Sequence, residues 1–231
     1  MKVKIYQINT DRDSERLKFC NLETTHNIQK DKEINASLYD KVLDADVDET
    51  NLEDIYYRFN TSHHPLFRGH SLSVSDVVLK DDGAFFCDSI GFKKINFDES
   101  QAHIPDNTFK IVYVEPHKPA YATEIGSDYK SLSRAVKGLI EPIYDTDDNT
   151  VYLGNDEAKL IGMPGNRHMS NGHGIIAGPF LVIGDDGEEF RSLTDEEINK
   201  YVEKFSQPED ISDEEVQNDT GYSIFGFTPN M

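Results

Sequence analysis

Apolar and polar residues alternate with period two over Val3-Lys4-Ile5-Tyr6-Gln7-Ile8, which predicts a half-buried strand. The pattern then dissolves. Residues 11–50 are polar and weakly periodic, carry an acidic cluster at Asp44, Asp46, Asp48 and Glu49, and read as loop with a short helix after Asp11. Asn51 is a helix cap. Behind it Leu52, Ile55, Tyr56 and Phe59 fall at i, i+3, i+4 and i+7, one helical face. His63-His64-Pro65 breaks that helix. Residues 73–79 and 84–87 predict two strands, turned by Asp82-Gly83.

A second patterned region starts at Phe109. Residues 110–114 predict a strand and 119–125 its hairpin partner. A helix follows Ser127, with Leu132, Ala135, Val136 and Leu139 on one face. Two further strands, 140–144 and 150–153, are joined by a turn, and 175–183 is apolar enough for one central strand, turned back by Asp186-Gly187. The last helix is the best specified element. Thr194 and Glu197 form a capping box, Leu193 and Ile198 a hydrophobic staple, and Ile198, Tyr201, Val202 and Phe205 a core stripe.

These elements predict an α+β protein of two small modules, each of mostly antiparallel sheet with one or two packed helices. The expected organisation is a first module at 1–98, a polar linker with Pro105 at 99–108, a second module at 109–206 and an acidic, flexible tail at 207–231. From Gln207 the chain is poor in apolar residues and has no Lys or Arg to balance its acids. It then ends in an aromatic-rich stretch with Tyr222, Ile224, Phe225 and Phe227, which reads either as a docking peptide or as a frayed end.

Composition sharpens this picture. With 231 residues, the chain is long enough for two cores without disulfide or metal staples. It is 37% apolar and 29% charged, so an adequate interior sits under a very polar surface. Two cysteines, Cys20 and Cys87, set no disulfide framework and fit a reducing compartment. The opening segment has no apolar core of a signal peptide, and no apolar run approaches membrane-spanning length; a bacterial cytoplasm is the expected location. The net charge of −20 argues against a direct nucleic-acid partner and for cationic ones, although it is also what a solubilising coat would look like; with no long apolar run, no membrane partner is expected either.

Two polar clusters are candidates for chemistry. The first gathers His63, His64, Arg68, His70, Ser71, Ser73, Asp76, Cys87 and Asp88. Its spacing matches no metal signature, so no metal or cofactor is expected; a Cys87–His70–Asp76 triad is conceivable, and loop histidines bonded to backbone are the plainer reading. The second lies at 162–174 and holds Asn166, Arg167, His168, Asn171 and His173. A Gly-rich loop there would present N–H groups to an anion with Arg167 as clamp, or would simply be a long structured loop before a strand. No catalytic residue is assigned.

The residues His64-Pro65-Leu66-Phe67-Arg68-Gly69-His70-Ser71-Leu72-Ser73-Val74-Ser75-Asp76, with Phe86-Cys87-Asp88-Ser89-Ile90-Gly91-Phe92 and the opening Ile5-Tyr6-Gln7-Ile8, resemble the YodL-like domain. The second half resembles a separate bacterial family of uncharacterised function, through Lys110-Ile111-Val112-Tyr113-Val114-Glu115-Pro116, Asn166-Arg167 and Ile176-Ala177-Gly178-Pro179-Phe180. Both are similar to parts of the polyvalent proteins of conjugative elements and phages. That resemblance implies a mobile-element accessory protein of counter-defence type, anti-restriction or anti-CRISPR. With the charge, it leads to the expectation of a host protein as partner, such as a basic nucleic-acid-binding one. The alternatives are an enzyme or small-ligand module using either polar cluster, and an adaptor working through its tail.

Overall fold

The computed structural model describes residues 1–170, 172 and 174–219. The chain divides into two compact units, the first comprising 1–108 with 124–126, the second 109–123 with the described residues from 127 onward. Both are α+β and built mainly on antiparallel sheet.

The first unit holds β1 (Lys2–Ile8), α1 (Leu22–Gln29), β2 (Tyr39–Asp46), α2 (Leu52–Thr61), β3 (Val77–Lys80), β4 (Gly83–Cys87) and β5 (Phe92–Ile95). Its sheet runs β2-β1-β3-β4-β5, with each neighbouring pair antiparallel. Strand β2 lies where the pattern predicted loop. A bulge shifts the β1–β2 register between Ile5 and Tyr6, so the strand buries Val42, Leu43 and Ala45 in a run and shows no period-two alternation. The core on one face joins Tyr6, Ile8, Leu17, Ile34, Tyr39, Val77, Ala84 and Phe86. Helix α2 starts where expected, with the Asn51 side chain accepting from Asp54 N, and Ile55 and Phe59 are buried while Tyr56 stays exposed.

The segment expected as a linker, 99–108, groups with the first unit. A 3-10 turn at Glu99–Gln101 brings the Glu99 carboxylate to Lys4 Nζ (2.7 Å) and Tyr6 Oη (2.6 Å), and Lys41 N donates to His103 O at 2.8 Å. Charged contacts to β1 and backbone pairing to β2 outweigh the turn-prone composition that suggested a free connection.

The second unit holds the rest: β6 (Thr108–Val114) from Phe109, β7 (Tyr121–Gly126) up to Thr123, with 124–126 grouped in the first unit, then α3 (Tyr129–Ala135), β8 (Ile140–Ile143), β9 (Thr150–Asn155), β10 (Gly165–His168), β11 (Ile175–Ala177), β12 (Phe180–Asp185), β13 (Phe190–Arg191), α4 (Asp195–Lys204) and α5 (Asp213–Asn218). Its main sheet is ordered β7-β6-β12-β9-β8, with β13 beside β12; β10 and β11 form a separate ribbon. The single strand expected over 175–183 is split. Gly178 takes a left-handed φ of 71° and Pro179 follows it, so the chain turns and enters a second sheet. Helix α4 lays Tyr201 and Phe205 on one sheet face against Tyr152 and Phe180. Elsewhere Tyr113 Oη donates to Ala135 O of α3 at 2.8 Å.

The tail also departs from expectation in its described part. Residues 207–219 carry α5, and Ile211 and Val216 are buried against Ala158, Ile175 and Ala177. Two apolar residues at i and i+5, anchored by a second capping box at Ser212 and Glu215, suffice to dock a segment that is otherwise acidic. Tyr222, Ile224, Phe225 and Phe227 lie outside the described residues. Among the described residues no helix is long and apolar enough to cross a membrane.

Candidate functional site

The first polar cluster folds into a buried hub. Gln7 on β1 passes beneath the loop at 69–76, and its amide is fully engaged: Oε1 accepts from His70 N (3.0 Å), while Nε2 donates to His70 O (2.8 Å) and Asp76 Oδ2 (2.9 Å). Residue 69 must be glycine for this crossing, because a Cβ there would sit 2.1 Å from Gln7 Oε1. Asp76 Oδ2 also accepts from Ser73 N at 2.8 Å. The neighbouring Ser75 holds a φ of 78°, with its Oγ accepting from Phe19 N (2.9 Å) and its carbonyl accepting from Tyr39 Oη (3.0 Å). One loop is thereby tied to β1, to β2 and to the segment before α1.

The remaining cluster members have structural partners as well. His64 Nδ1 accepts from Leu66 N, and the His63 ring packs 5.3 Å from that of Phe67. Arg68 donates to Lys41 O at 2.9 Å. Asp88 Oδ1 accepts from Leu22 N and Ser89 N. His70 Nδ1 lies 2.8 Å from the carbonyl of Ser71 and 3.2 Å from Gln7 Nε2. It is 4.0 Å from Asp76 Oδ2, beyond hydrogen-bond reach.

Electrostatics separates two of these groups. Burial lifts the Asp76 carboxyl to about 7, against the hydrogen bonds from Ser73 and Gln7 and the nearby charge of Lys18. Burial also pushes the Cys87 thiol up to about 12, assisted by the Asp76 and Asp88 charges. A thiol held there supplies almost no thiolate at neutral pH, and His70 makes no hydrogen bond to it. The conceivable Cys87–His70–Asp76 triad is therefore not assembled.

In the second unit, Asn166 and Arg167 form a latch. Asn166 Nδ2 donates to Val114 O (3.0 Å) and Gly178 O (2.7 Å). The Arg167 side chain is 1% exposed; Nη1 donates to the backbone and side-chain oxygens of Asn166, and Nη2 to Lys118 O and Phe205 O. Its guanidinium thus joins β10, the turn after β6 and the end of α4, and is closed to an incoming anion. Burial lowers its pKa, with the Glu209 charge opposing. His168 pairs with Glu209 at 2.6 Å on the surface. Asn171 and His173 lie outside the described residues. Arg167 is thereby a structural tie, and its bonded guanidinium does not serve as the anion clamp that was one of the two readings of 162–174.

Open space lies elsewhere. The first unit carries a cleft of about 810 Å³ between strands β3–β5 and the chain that follows α1. Leu79, Ala84, Ile95 and Phe97 contribute apolar surface, Glu15, Asp31, Glu33 and Asp98 contribute carboxylates, and Lys94 is its one cation. Sequence reasoning missed it, because its walls combine strands β3–β5 with segments far apart along the chain, at Glu15, 29–35 and 96–101, and no local spacing marks them. The second unit has a smaller cleft of about 470 Å³ beside β8, with Met169 and Ile175 in its lining and the Lys159–Asp219 pair at 2.6 Å. Among the described residues no group of three His, Cys, Asp or Glu side chains is placed to hold a metal.

The model of the YodL-like domain matches residues 2–97, and that of a domain of unknown function, DUF3846, matches residues 109–206. No curated protein and no solved structure matches the chain.

Proposed function

We propose that this chain, a YodL-like domain followed by a DUF3846 domain, is a binding protein: a mobile-element accessory factor of counter-defence type. It engages a basic, nucleic-acid-handling protein of the host through carboxylate-lined surface and thereby competes with the phosphates that the partner is built to hold. The observation that carries this reading is the carboxylate-rimmed cleft of the first unit, set in a chain of net charge −20. Such a surface steers a cationic partner and rejects nucleic acid. The internal engagement of Gln7, Asp76 and Arg167 supports it further, since both family-matched halves use their most distinctive polar residues to hold loops in place.

One observation favours a catalytic reading, the Asp76 carboxyl titrating near neutrality. Against it, Asp76 is 1% exposed and its Oδ2 is capped by Gln7 and Ser73. Co-purification from bacterial lysate tests the proposal. The expected result is a basic nucleic-acid-binding protein retained at low salt and released at high salt. Recovery of only neutral or acidic partners, or retention indifferent to salt, contradicts it.

A further inference from the structure

We infer that the cleft of the first unit receives an arginine side chain presented by an extended segment of the partner protein; this rests on the binding function proposed above. The cleft combines an apolar wall with carboxylates that enter no ion pair among the described residues. Leu79, Ile95 and Phe97 are partly buried edges of the core, so the wall continues the hydrophobic interior to the surface. Among the described residues the exposed Glu15 and Glu33 enter no ion pair, and the buried side-chain oxygen of Gln29 has no donor. The other charges present already have partners in the fold; Asp31 Oδ1 accepts from Glu33 N at 3.1 Å. Both Asp98 oxygens accept from the turn that follows, at Ser100 and Gln101. Lys94 Nζ donates to Asp82 O at 2.6 Å and lies over the Phe85 ring, and among the described residues it pairs with no carboxylate of the cleft.

An occupant of such a site must bring donors, positive charge and an apolar stem. A guanidinium has five donors and no acceptor, and its methylene stem covers apolar surface. It is also more weakly hydrated than an ammonium and matches carboxylate geometry with two bonds at once, which favours arginine over lysine. The volume exceeds what one side chain needs and leaves room for the flanking backbone.

The test is an NMR titration of the full chain with three capped pentapeptides that differ only at the centre: Gly-Gly-Arg-Gly-Gly, its lysine counterpart and its citrulline counterpart. Citrulline keeps the shape and removes the charge. The expected result is that the arginine peptide shifts the amides of Ile34, Ala84 and Ile95, binds several-fold tighter than the lysine peptide, and leaves the citrulline peptide without measurable binding. The E15Q/E33Q variant, which breaks no ion pair, loses about tenfold in affinity for the arginine peptide. Equal binding of the citrulline peptide, shifts centred elsewhere, or unchanged affinity in E15Q/E33Q overturns the assignment. Failure of the peptide arm with a basic host protein still retained by the same chain removes the arginine site and leaves the binding function standing. If no basic protein is retained either, both fall.

Discussion

Asp76 shows how a single buried residue sets a pH response. In the unfolded chain its carboxyl titrates near about 4, and in the fold near about 7. The folded form therefore binds the proton more tightly, and stability falls as pH rises through this window. The full benefit is present below the unfolded value and is gone above the folded one. The groups around it are Gln7, Ser73, Lys18, His70 and Cys87, and only Lys18 supplies positive charge outright. Asp76→Asn keeps an acceptor for Gln7 and Ser73 and cannot ionise. In urea denaturation the variant should gain on the wild type by roughly 1–3 kcal/mol between pH 5 and pH 8. A constant difference across that range would mean that Asp76 is ionised in the fold throughout. The cysteine in the same hub behaves differently: burial silences it, which sequence proximity to histidine and aspartate did not reveal.

At the scale of elements, the best test concerns the acidic segment after α4. Ile211 packs over Gly165, where an added Cβ would come within 2.6 Å of it, and shares a small cluster with Val216, Ala158 and Ile175. Ile211→Ala should destabilise the second unit by about 2 kcal/mol or more, read from its denaturation midpoint. An unchanged midpoint would return residues 207–219 to the flexible tail that composition suggested. This element and its neighbours show where local pattern suffices. The Asn51 cap of α2 and the Thr194–Glu197 box of α4 were readable because their partners lie three residues away. Strand β2 was not, since its bulge erases the alternation, and the break at Gly178-Pro179 was hidden inside a continuous apolar run. The docking of α5 depends on a surface more than thirty residues upstream, which no window along the chain can see.

For the molecule as a whole, the candidate site divides in the same way. The signature residues from His63 to Asp88 read as dense in polar groups, and that density marks a hub of internal hydrogen bonds; the proposed recognition surface lies at Glu15 and Glu33, in a stretch that read as loop. Charge alone points to the sign of the proposed partner and says nothing of its place. The central claim is that the carboxylate surplus recognises a cationic protein, and the most direct measurement is the affinity of the intact chain for its co-purified basic partner from about 0.05 to 0.5 M salt. The account predicts that binding weakens at least about tenfold across that range, with a shallower dependence in E15Q/E33Q. An affinity that stays level with salt, in the wild type and the variant alike, would contradict it.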